Sequence, residues 1–130
     1  MVNSDFYLNI QASLFQAIDR KSRQRLHTYK EEMNKSLDEL IDKEDIPYPN
    51  DFEEIVHKFV VASHIERTKR SRNIQITQMV IGWLKKFPKG TLEDCLKYVS
   101  PHVESEEELK LAENIFGIVL RKYVEENRKN

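Results

Sequence analysis

Between Ser4 and Glu44 the chain contains neither a proline nor a glycine, and its apolar side chains recur at helical steps. A strand needs alternation and a turn needs a breaker, so this section is expected to be helix. A first stripe is Phe6, Ile10, Leu14, Ala17 and Ile18. A second, Leu26, Met33 and Leu40, steps by seven, with Leu37 and Ile41 widening it and Lys30 interrupting it. That is the spacing of a hairpin arm or a coiled-coil seam. Between the two stripes, DRKSRQRLH (19–27) is almost wholly polar, and the section reads as one long or kinked N-terminal helical arm over 4–44.

KEDIPYPND (43–51) carries two prolines, each of which removes a backbone donor and pushes its predecessor away from the helical region. A loop is expected there, followed by Asn50 as helix cap, with Asp51, Glu53 and Glu54 complementing the positive helix end. Phe52, Ile55, Val56, Phe59 and Val60 then form an inner stripe that Val61 and Ile65 broaden, as in a central helix. Ile76, Met79, Val80, Trp83, Leu84 and Phe87 repeat the helical spacing before FPKGT (87–91) ends it. Propensity leaves open whether residues 66–74 turn or continue the helix.

Thr91 and Asp94 open a short helix with Leu92, Cys95, Leu96 and Val99 inward, ended at Ser100-Pro101. Ser105 and Glu108 form a capping box for a last helix lined by Leu109, Ala112, Phe116, Val119, Leu120 and Tyr123. That helix is expected to reach about Glu126, with NRKN frayed.

The fold class is therefore all-α: one domain of 130 residues, a bundle or orthogonal array of about five helices, with the arm at 4–44 and a helical core over 50–127. The apolar runs at 59–62, 79–84 and 115–120 are far shorter than the ~20 residues of a bilayer span, so no membrane partner is expected. Cys95 is the only cysteine and permits no intramolecular disulfide. With no secretory pattern at the N-terminus, a cytoplasmic or other reducing compartment is expected.

The signatures of catalysis are missing. Glycines 82, 90 and 117 stand alone, so no Gly-rich loop cradles phosphate and no nucleophile elbow forms. Among His27, His57, His64 and His102 no metal-ligand spacing occurs, and of the paired acids Glu53-Glu54 and Glu106 to Glu108 fall in first helical turns, where they offset the macrodipole. Cys95 reads as a core thiol and Trp83 as a core anchor. No catalytic residue, cofactor, metal or small-molecule substrate is expected.

Two basic blocks remain. Arg20, Lys21, Arg23 and Arg25 lie in an acid-free run with His27 and Lys30; Arg67, Lys69, Arg70 and Arg72 form the second. Arginine forks match phosphate or carboxylate, but a net charge of −1 gives no long-range attraction, so a local patch would have to act. Residues 76–99 also have the outline of a helix-turn-helix, yet Glu93 and Asp94 suit the second helix poorly for a phosphate-lined groove. The expectation is a non-enzymatic binding or adaptor subunit whose arginine-rich face contacts nucleic acid or an acidic partner. The alternatives are a protein-protein or dimerisation module using Leu26, Met33, Leu37 and Leu40, or a helix-turn-helix-like regulator.

Overall fold

The structure, a computed structural model, describes residues 4–43 and 49–129. Four α-helices hold nearly all of them: α1 (Ser4–Lys43), α2 (Pro49–Lys86), α3 (Leu92–Val99) and α4 (Glu106–Lys129), with a 3-10 turn at Ser100–His102. There is no strand among the described residues. The all-α class holds, with four helices where about five were expected. The difference lies at 66–74, which is helix throughout. This arginine-rich stretch has no proline or glycine to break it, and the Thr77 hydroxyl donates to the Asn73 carbonyl at 2.8 Å, remaining in register with the ladder.

Residues 19–27 are likewise helical without interruption. Thr28 donates its hydroxyl to the Gln24 carbonyl at 3.0 Å, and His27 faces Glu31 at 2.9 Å in an i,i+4 pair. Of the loop expected over 43–51, residues 44–48 lie outside the described residues. Asn50 is not a cap: α2 begins at Pro49, whose fixed φ suits a first helical position and whose missing donor costs nothing there. Asp51 remains in the first turn, while Glu53 and Glu54 fall beyond it.

The chain divides into two compact units, with borders inside α1 and α2. One comprises the chain up to Ile18 together with the chain from Arg72 onward; the other is Asp19–Ser71. This grouping differs from an arm at 4–44 and a core at 50–127, because α1 and α2 each contribute to both units.

The first unit holds the main core. Tyr7 and Ile10 of α1, Ile76, Val80, Ile81 and Leu84 of α2, Cys95 and Val99 of α3, and Ala112, Ile115, Phe116 and Val119 of α4 form one buried cluster. The expected α3 face is met: Cys95 and Val99 are fully buried, with Leu92 and Leu96 packed against them. Thr91 caps this helix by accepting the Asp94 N–H at 3.2 Å. In α4, Ile115 belongs to the stripe and Leu120 does not, since Leu120 sits one step past the face and is 46% exposed. The helix also continues to Lys129, past the expected end at Glu126.

The second unit is a two-helix hairpin. Ser22, Phe59 and Glu66 are its buried side chains, with Leu26, Tyr29, Met33, Leu37 and Leu40 of α1 half-buried. With only one partner, each helix can cover one narrow face. Phe52, Val60, Val61 and Ile65, expected in or beside an inner stripe of a central helix, are therefore exposed.

A candidate cationic cleft in the helical hairpin

The hairpin is pinned by charges drawn from the two basic blocks. Arg70 donates from Nε to Asp19 Oδ1, and Arg25 pairs with the buried Glu66 at 3.5 Å. These two arginines join α1 to α2, and their positive ends are already matched. Arg72 is the most heavily engaged of the group. Its Nε donates to Glu108 Oε2 at 3.0 Å, and Nη2 donates to Glu108 Oε1 at 2.8 Å and to the His102 carbonyl at 2.7 Å. This bidentate pair ties α2 to the start of α4, and the hydrogen bond to Arg72 holds the Glu108 carboxyl below its ordinary range. Arg72 is thus a structural clamp within its unit.

Glu108 also departs from the simple capping box. Its backbone N–H donates to Ser105 Oγ at 3.2 Å as expected, but its carboxylate accepts the Glu104 N–H at 2.8 Å, with the rest of its capacity turned to Arg72.

Arg20, Lys21, Arg23 and Arg67 are exposed and have no ion pair among the described residues. Lys69 is exposed and engaged in an interaction of its own. On α1, Arg20, Arg23, His27 and Lys30 stand at steps of three, four and three, which places them along one face. His27 and Lys30 line an open cleft of about 390 Å³, and Arg67 of α2 lines it too. Leu26 and Met33 from the heptad stripe line the same cleft, together with Tyr29, Phe59 and Val60. Of the two arginine blocks only Arg67 reaches this cleft, where it meets the Leu26/Met33 seam with His27 and Lys30.

The result is an apolar surface flanked by cationic side chains, with no acid among the lining residues. Lys30, which interrupts the stripe in the sequence, lines this cleft. Tyr29 and Ser63 were not singled out by sequence; Tyr29 falls on the same helical face as Leu26 and Met33, a signal that was available. Leu37 and Leu40 are half-buried and outside the cleft lining. Such a cleft can desolvate an apolar side chain while pairing a neighbouring carboxylate or phosphate.

No group of three or more His, Cys, Asp or Glu that could hold a metal ion occurs among the described residues. No described helix is long and apolar enough to cross a membrane. The outward face of α3 carries Glu93, paired with Lys97 at 3.6 Å, and Asp94. No family model, no characterised protein and no solved structure matches the chain.

Proposed function

We propose that the chain is a non-catalytic helical binding protein, an adaptor-type subunit whose hairpin unit receives an acidic amphipathic helix of a protein partner. The observation that carries this reading is the union of Leu26, Met33, Phe59 and Val60 with Lys30 and Arg67 in one cleft free of acids. A third helix laid along the hairpin would cover exposed apolar surface that two helices leave open, using the helix-in-groove mode. Carboxylates on its flanks would meet Lys30 and Arg67.

A labelled synthetic helix with leucines on one face and glutamates beside it, titrated into the full chain, tests the reading. Saturable binding weakened at least tenfold by Lys30→Glu with Arg67→Glu is expected. No binding below about 100 µM, which is already a weak affinity, would reject it.

The stripe Arg20, Arg23, His27 and Lys30, with Arg67 on the neighbouring helix, favours nucleic acid as a second reading. In that case labelled duplex or single strands would bind with a salt slope near 0.9 per duplex phosphate contacted, and the acidic helix would not compete.

A further inference from the structure

The unit built from the two chain ends contains a second open cleft, of about 670 Å³, which lies within the size range of small-ligand sites. Two aromatic pairs line it. Trp83 and Phe87 of α2 have ring centroids 5.2 Å apart, and Tyr98 of α3 and His102 of the 3-10 turn are 6.3 Å apart. Phe87 and Tyr98 are about half exposed. Gly82 lies between the flanking residues on α2, and a methyl group built there would meet nothing within 4 Å, so the space above it is open.

The polar lining is equally selective. Gln75 and Gln78 bring amides, and Arg72 Nη1 donates to Gln75 Oε1 at 3.2 Å, which leaves the Gln75 amino group free to donate. Lys86 contributes positive charge, the charge of Arg72 being already met by Glu108, and no aspartate or glutamate lines the cleft. Flat aromatic faces stack on planar rings, amides read the hydrogen-bonding edges of such rings, and cations attract an attached phosphate.

We propose that this cleft binds a planar heteroaromatic ring that carries phosphate, either an unpaired nucleobase of a single strand or a free nucleotide. An acidic peptide would satisfy Lys86 but would give the amide and paired-ring lining no matching partner. The inference does not depend on the cleft of the hairpin unit, whose residues are all different.

Trp83 is the sole tryptophan, so the intrinsic fluorescence of the full chain reports from this cleft. Adenosine monophosphate, short oligo(dT) and short oligo(U) would each be titrated, with inorganic polyphosphate as a ring-free control. Saturable quenching by at least one ring-bearing probe, with little response to polyphosphate, is expected; which probe quenches separates free nucleotide from strand. Gly82→Leu should abolish the response while leaving the melting temperature near that of the parent. Tyr98→Ala should weaken binding roughly tenfold, the effect of one lost stacking platform. Quenching should persist in Lys30→Glu/Arg67→Glu, so failure of the hairpin reading leaves this one standing. The proposal is overturned by no saturable quenching up to about 1 mM, by an equal response to polyphosphate, by quenching only with an acidic helical peptide, or by an undiminished response in both cleft variants.

Discussion

Arg72 and Glu108, thirty-six positions apart in the sequence, meet through two parallel N–H···O bonds of 3.0 and 2.8 Å. The Arg72 side chain is 22% exposed and that of Glu108 12%, so water competes weakly for either. The pair fastens the middle of α2 to the first turn of α4, while the third bond of Arg72, to the His102 carbonyl, adds the turn that follows α3.

Removing either partner should therefore lower the melting temperature by several degrees, and the double change Arg72→Ala/Glu108→Ala should cost less than the sum of the single ones. The pair also sets an acid limit. Because Arg72 lowers the folded carboxyl below its unfolded value, the stabilisation is complete above pH of about 4.5 and fades as pH falls through the folded value. Thermal melts between pH 7 and 3 should show this loss, and Glu108→Gln should flatten that part of the profile.

Cys95 is fully buried, and desolvation pushes its thiol up to about 11. Native protein at pH 8 should resist alkylation, whereas denatured protein should react at once. The folded state holds its proton more tightly than the unfolded state, so stability should decline as pH rises from the ordinary thiol range of about 8.5 toward 11. Cys95→Ala should remove that decline, at a cost of about 1–2 kcal/mol from the smaller side chain. Rapid labelling of the native thiol would contradict the burial.

Gly90→Ala should disturb Trp83. A methyl group there would run into Trp83 Cη2 and stand 2.7 Å from Cζ3, so the indole has to move. The glycine has no positive φ, which makes close approach the reason for its presence. A loss of about 1–3 kcal/mol, typical of overpacking, should accompany a shifted tryptophan emission maximum.

Ser22→Ala should leave the hairpin as stable as before or stabilise it by about 1 kcal/mol. Ser22 is 2% exposed, and its hydroxyl has no hydrogen-bond partner among the described residues. An orphaned hydroxyl is costly to bury, and alanine removes it without leaving a large void. Chemical denaturation of the two proteins measures the difference, and clear destabilisation would show that the hydroxyl is satisfied.

Local patterns were legible where they suffice to decide structure. Thr91 and Ser105 act as caps because the spacing to Asp94 and Glu108 is itself the cap geometry. Cys95 and Val99 are buried because a short helix with one apolar face has one way to lie against a core. Even the hairpin cleft was present in fragments, as Leu26, Met33 and Arg67. What periodicity could not supply is the number of neighbours around each helix. In the hairpin there is one, so Phe52, Val60, Val61 and Ile65 are exposed although their spacing resembles that of Val80, Ile81 and Leu84.

The sequence by itself determined that the described chain is helical, where two of its helices are capped, and which face of α3 turns inward, because these follow from interactions spanning a few residues. The tertiary structure decided which arginines are used up and which are exposed. Arg25, Arg70 and Arg72 look the same as Arg20, Arg23 and Arg67 in the sequence, and only the approach of Glu66, Asp19 and Glu108 from distant positions separates clamps from candidate contacts. A charge acquires its role from the partner within a few ångströms, and for these residues that partner is brought by the fold.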